Sequence, residues 1–123
     1  MNYHKYKLFM KRSYSNHPFD DNKKVLSMYE IKQGLRLICR KYGIQTVYLF
    51  GSYAYNNPDR FSDLDFIVDY GKCQGLNCIG FMEELERYFR KGVDVININS
   101  VSKILKDEIK ERKVLVYDQL WKS

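Results

Sequence analysis

The sequence predicts an α/β (α+β) domain, a short mixed sheet with helices packed on it. Three observations carry this expectation. Short β-rich runs at 46–50, 63–69, 93–96 and 114–117 alternate with segments of helical periodicity. A capping-box pair opens the first helical segment, and a glycine closes it. The 123 residues are enough for one domain with one real core.

The first helix starts at Ser27, whose hydroxyl pairs with the Glu30 carboxylate three positions on, each satisfying an open backbone N–H. Ile31, Leu35 and Ile38 then fall on one face with Leu37 at its edge, and Gly43 supplies the left-handed closing residue. The run Thr46-Val47-Tyr48-Leu49-Phe50 reads as a strand that stops abruptly at Gly51-Ser52. Asn56-Asn57-Pro58-Asp59 is a turn signal. Over 63–69 the side chains alternate, with Leu64, Phe66 and Val68 on one side and Asp63, Asp65, Ile67 and Asp69 on the other. A second helix over about 77–91 turns Ile79, Met82, Leu85 and Phe89 inward and ends at Gly92. A third helix of roughly 100–112, with Ile104, Leu105 and Ile109 inward, leads into the last strand.

Composition excludes several classes. Hydrophobic residues make up 45% and charged residues 29%, ordinary values for a soluble globular protein. No apolar run approaches the roughly 20 residues a membrane helix needs. The N-terminus has no apolar stretch of the secretory kind, so a cytoplasmic location is expected. Cys39, Cys73 and Cys78 are not spaced as zinc ligands, and His4 and His17 lie far from them, which points to reduced thiols. The net charge of +6 is uneven: Lys5, Lys7, Lys11 and Arg12 face no acid within residues 1–19. That leaves 17 basic against 15 acidic groups in the rest, a nearly neutral body. Residues 1–24 thus read as a basic, aromatic arm or extension and 25–123 as the folded domain. Charge on an arm alone does not make a nucleic-acid binder.

The chemistry concentrates in three carboxylates. Asp63 and Asp65, two positions apart on a strand, share a face with Cα atoms ~6.6 Å apart. Full charges at that distance repel by ~2.5 kcal/mol at an effective dielectric of about 20. Asp is also a poor strand former, and a merely polar face is made more cheaply by Thr or Lys. A divalent cation turns the repulsion into coordination, and hard oxygen ligands suit Mg²⁺. A solvated acidic face remains the alternative for this pair taken alone. Gly51-Ser52 adds a turn whose backbone can approach an anion, with a hydroxyl to bond phosphate oxygens. Asp94, on a strand beside 63–69, brings a third carboxylate to the cluster; a strand-end ion pair with Lys91 is the alternative.

These residues carry a family resemblance. Leu49-Phe50-Gly51-Ser52-Tyr53-Ala54, followed ten residues after Ser52 by Ser62-Asp63-Leu64-Asp65-Phe66, resembles the signature of polymerase-beta-like nucleotidyltransferases. Within that superfamily it looks most like the minimal, single-domain type (MNT). Lys91-Gly92-Val93-Asp94-Val95 is similar to the third-carboxylate strand, and 109–117 to the closing helix and strand. The likeness covers about residues 28–118 and leaves the arm outside it.

The resemblance implies a polymerase-beta-like fold and transfer of a nucleoside monophosphate, AMP from ATP or another NTP, to a hydroxyl. Gly51 and Ser52 would bind the nucleotide. Asp63, Asp65 and Asp94 would be the catalytic carboxylates and the ligands of a two-metal Mg²⁺ site. The implied partner resembles the helical toxin of HEPN/MNT toxin–antitoxin pairs, modified on a tyrosine, with this chain as antitoxin in a homo- or hetero-oligomer. The competing reading is a catalytically weak or inactive antitoxin that neutralises its partner by contact. One departure bears on the choice. The family often has Arg-Gly where this chain has Tyr55-Asn56, and a tyrosine cannot replace an arginine's charge on a phosphate. Arg60 or a partner residue is the candidate replacement.

Overall fold

The computed structural model describes residues 24–101, 107 and 112–121. Its elements are α1 (Met28–Tyr42), β1 (Thr46–Phe50), β2 (Leu64–Asp69), α2 (Leu76–Phe89), β3 (Val93–Asn97) and β4 (Val114–Asp118). The third helix expected over 100–112 and the arm at 1–24 lie almost wholly outside the described residues. Among those described, no helix is long and apolar enough to cross a membrane.

The α1 cap forms as the sequence predicts. Glu30 N–H donates to Ser27 Oγ at 3.0 Å, and Ser27 N–H donates back to Glu30 Oε1 at 3.1 Å. Gly43 closes the helix at φ 71°, a left-handed value that costs a non-glycine residue about 1–2 kcal/mol. Ile31, Leu35 and Ile38 are buried, whereas Leu37 is 63% exposed and lies off the packed face.

The strands form one sheet in the order β3-β2-β1-β4. β1 runs antiparallel to β2 and β4, while β2 and β3 are parallel and joined through α2. Both helices cover the same sheet face. There Val47, Leu49, Leu64, Phe66 and Val68 meet Ile31, Leu35, Phe81, Leu85 and Phe89 in the main core. Burying each such side chain contributes about 1.5–3 kcal/mol, so this layer fixes which way every strand residue faces. Gly34 lets the helices close on each other, since a Cβ there would stand 2.5 Å from Tyr88 and 2.6 Å from Phe89.

Two expectations for the second helix need correction. It ends at Phe89, and Arg90 rather than Gly92 takes the left-handed closing position at φ 56°. Its buried stripe is Phe81, Leu85 and Phe89, while Ile79 is 47% exposed and Met82 only half-buried. Ile79 lies ~120° around the axis from Leu85 at 100° per residue, too far to reach the sheet. Phe81 is fully buried in the core instead.

Candidate active site

The opposite sheet face carries the carboxylates. Alternation along β2 points Leu64, Phe66 and Val68 into the helix-covered core and puts Asp65 and Ile67 on the other side. Asp65 and Asp94 are direct register partners across the parallel pair β2–β3. Each is only 5% exposed. Neighbouring strands lie about 4.8 Å apart. Two full charges at that spacing repel by ~3.5 kcal/mol at an effective dielectric of about 20.

Two glycines make room for these side chains. Gly51 sits at φ 74°, and a Cβ there would collide with Asp65 Oδ2. Gly92 directly precedes β3, and a Cβ on it would come within 2.7 Å of Asp63 Oδ1. Its sequence reading as a helix stop missed this role; the signal was its place one residue before the Val-Asp-Val strand. Asp63 is anchored beside it, because Leu64 N–H donates to the Gly92 carbonyl at 3.0 Å. Asp63 is half-buried and stands just before β2.

Gly51–Tyr53 forms one tight helical turn at the end of β1. Tyr55 N–H donates to the Gly51 carbonyl at 3.1 Å and Asn57 N–H to the Ser52 carbonyl at 2.9 Å, which closes the turn on itself. Tyr53 is buried and its hydroxyl accepts from Leu26 N–H at 3.2 Å, tying the turn to the entry of α1. Burial raises the Tyr53 hydroxyl above its usual pKa, so it stays protonated at neutral pH. In that position it serves the core and offers no face to a base, unlike Tyr48, which is half-buried on the carboxylate side of the sheet.

The loop from the turn to β2 is held at several points. Asp59 Oδ1 accepts from Phe61 N–H at 2.8 Å, and Asp59 N–H donates to Ser62 Oγ at 2.9 Å. Lys91 is buried and its ammonium donates to the Arg60 carbonyl at 2.9 Å, so it braces the approach to Asp63. Arg60 itself lies over Phe61, 4.8 Å from the ring centroid. The cation against Tyr55 is instead Arg112. Asp69 behaves as a strand-end acid, accepting from Gly71 N–H at 3.1 Å. Glu86, buried on α2, accepts from Val93 N–H at 3.4 Å and steadies the start of β3; helical periodicity gave no sign of it.

The donor set is hard oxygen only, which suits Mg²⁺. The Oδ2 atom of Asp94 is buried with no hydrogen-bond partner among the described residues, although the side chain has other interactions. Asp65 and Asp94 therefore fit a divalent cation. Among the described residues, no three His, Cys, Asp or Glu side chains already converge as a metal site. Of the three carboxylates expected to cluster, Asp65 and Asp94 are adjacent across β2 and β3, and Asp63 stands against Gly92 just before β2.

Residues 32–120 match the family described as polymerase beta, nucleotidyltransferase. The chain belongs to that nucleotidyltransferase family. A relative from Methanocaldococcus jannaschii, named for protein adenylyltransferase activity, is 36% identical over 85 residues, 68% of this chain and 91% of the relative. The fold is shared with a solved structure described as a minimal nucleotidyltransferase, at TM-score 0.63, 19% identity, and 72% and 95% coverage of this chain and that one. It is shared too with a toxin–antitoxin crystallised with AMP-PNP, at TM-score 0.58, 24% identity, and 77% and 76% coverage. A third likeness is to a complex of tri-AMPylated Shewanella oneidensis HEPN toxin with MNT antitoxin, at TM-score 0.57, 18% identity, and 76% and 74% coverage. At these identities the structural likenesses speak for the fold, and the family match for nucleotidyl transfer.

Proposed function

We propose that this nucleotidyltransferase moves AMP from ATP to a tyrosine hydroxyl of a helical HEPN-type partner and so acts as its antitoxin. The observation that carries the reading is the lateral pairing of Asp65 with Asp94 beside the Gly51–Tyr53 turn. In this reading the acceptor hydroxyl attacks the α-phosphorus. The new O–P bond forms as the bond to the pyrophosphate oxygen breaks, and pyrophosphate leaves. Asp94, buried beside Asp65, accepts the hydroxyl proton. Gly51 and Ser52 hold the triphosphate through backbone N–H groups and the serine hydroxyl. Asp63, Asp65 and Asp94 would hold Mg²⁺, which would supply neutralisation of the charge on the phosphoryl oxygens.

The named activity of the M. jannaschii relative and the AMP-PNP and AMPylated-toxin complexes of the fold neighbours support adenylyl transfer to a protein. Residues 25–123 constitute the catalytic domain, and the basic residues 1–24 an extension from it. The partner completes the acceptor side, in a hetero-oligomer. The test is co-production with the HEPN-type partner and mass spectrometry of that partner. AMP ester-linked to a tyrosine is the expected product. A partner neutralised but carrying no AMP would instead support a contact-only antitoxin. That second reading is favoured by Tyr55-Asn56 standing where the family often has Arg-Gly.

A further inference from the structure

The carboxylates and the Gly51–Tyr53 turn lie at one end of the sheet. β1 ends there at Phe50, and β2, β3 and β4 begin there at Leu64, Val93 and Val114. With the strands in the order β3-β2-β1-β4, this end presents Asp94, then Asp65, then the Gly51–Tyr53 turn, and finally Arg112 and Lys113. Lys113 immediately precedes Val114, the register partner of Leu49, so it arrives beside Phe50 and the turn. At about 4.8 Å per strand, β4 starts ~10 Å from the Asp65 strand. The carboxylates therefore flank one side of the turn and two cations the other.

The two cations are held in an unusual way. Lys113 Nζ stands 4.3 Å from the centroid of the Tyr48 ring. The Arg112 guanidinium lies 5.5 Å from the centroid of Tyr55, with Nη1 3.4 Å from its hydroxyl. An aromatic face attracts and orients a cation through the ring quadrupole. Tyr55 is itself placed by the turn, through its N–H bond to the Gly51 carbonyl and edge contact with Phe50 at 6.4 Å. Phe50 in turn is the register partner of Asp65. A continuous set of contacts thus fixes the guanidinium relative to the carboxylate strand.

We propose that Arg112 and Lys113 bind the β- and γ-phosphates of the nucleoside triphosphate, on the side of the Gly51–Tyr53 turn away from Asp65 and Asp94. This rests on the nucleotidyl-transfer reading of the site and adds to it the residues that hold the leaving pyrophosphate. Tyr55, in a loop that has no arginine of its own before Arg60, then acts as a platform that positions an arginine from the segment leading into β4. The planar fork of Arg112 suits bidentate contact with phosphate oxygens, and Lys113 supplies a point charge.

The test is competition by ATP, ADP, AMP and adenosine against a fluorescent ATP analogue, with Mg²⁺ present, on wild type, Arg112→Ala, Arg112→Lys and Lys113→Ala. Circular dichroism confirms that each variant is folded. The proposal expects Arg112→Ala to weaken ATP about tenfold or more, as for loss of a charge-assisted hydrogen bond, with AMP and adenosine nearly unchanged. Lys113→Ala should follow the same pattern more weakly, and Arg112→Lys should recover part of the loss. ATP affinity unchanged in both alanine variants overturns the proposal while leaving nucleotidyl transfer intact, as does an equal loss for adenosine. A wild-type protein that binds no triphosphate at all overturns both.

Discussion

Asp65 and Asp94 stand side by side on parallel strands, both buried, on the sheet face away from the helices. Two carboxylates so placed repel when both are ionised, and a bound divalent cation would turn that repulsion into coordination. Neutralising either one, by Asp65→Asn or Asp94→Asn, should raise the melting temperature in EDTA by a few degrees. Mg²⁺ should stabilise wild type more than either variant. A lower melting temperature for both variants in EDTA would show that the pair is stabilising as it stands.

The two glycines test the same geometry without touching a carboxylate. Gly92→Ala puts a methyl 2.7 Å from Asp63 Oδ1 at a backbone angle any residue adopts, so the fold should survive with the side chain displaced. Transfer should fall at least about tenfold, since a misplaced catalytic group of ~1 Å costs roughly 100-fold. Gly51→Ala adds left-handed strain of about 1–2 kcal/mol to its clash with Asp65 and should lose stability as well as activity. Thermal melts and transfer rates on the two proteins separate these effects. Full activity in Gly92→Ala would mean that Asp63 tolerates movement and is not a ligand.

Much of this was legible in the sequence, for reasons that are local. The Ser27–Glu30 box and Gly43 act within a few residues of themselves, and the helix they bound is as expected. The alternation of 63–69 placed Asp65 correctly because a strand's period does not depend on its neighbours. What escaped reading depends on partners distant in sequence. Phe81 replaces Ile79 in the core because of where the sheet lies, and Gly92 matters because Asp63 comes to rest on it. The Arg112–Tyr55 contact joins residues 57 apart, which no local pattern announces.

Tyr53 ties the site to the scaffold and should do so measurably. Tyr53→Phe removes the acceptor from the buried Leu26 N–H, at a cost of about 1–2 kcal/mol. Because the turn carries Gly51 and Ser52, nucleotide affinity should fall alongside the denaturation midpoint. Retention of both values would show that the entry of α1 and the turn are independent.

Acid stability has a specific source between the helices. Glu84 accepts from Lys41 Nζ and from Tyr42 Oη, each at 2.9 Å. The Lys41 hydrogen bond foremost, then that of Tyr42, holds the Glu84 carboxyl below its usual 4.5. A lowered carboxylate stabilises the fold above its unfolded pKa and loses that contribution as pH falls through the folded value. Lys41 is raised from 10.5 by the same bond, so its contribution is present below that value and lost as pH rises past its folded pKa. Glu84→Gln should therefore melt lower than wild type at neutral pH by a small, salt-sensitive margin, and the gap should close below pH 4.5. A gap that persists in acid points to lost packing instead.

The central claim is that the carboxylates at this end of the sheet perform nucleotidyl transfer to a protein. Its most direct test incubates the chain with [α-³²P]ATP, Mg²⁺ and the HEPN-type partner and follows label on the partner. Wild type should label a partner tyrosine, and Asp63→Ala together with Asp65→Ala should abolish labelling while the circular dichroism spectrum stays native. Undiminished labelling by the folded double variant would contradict the account.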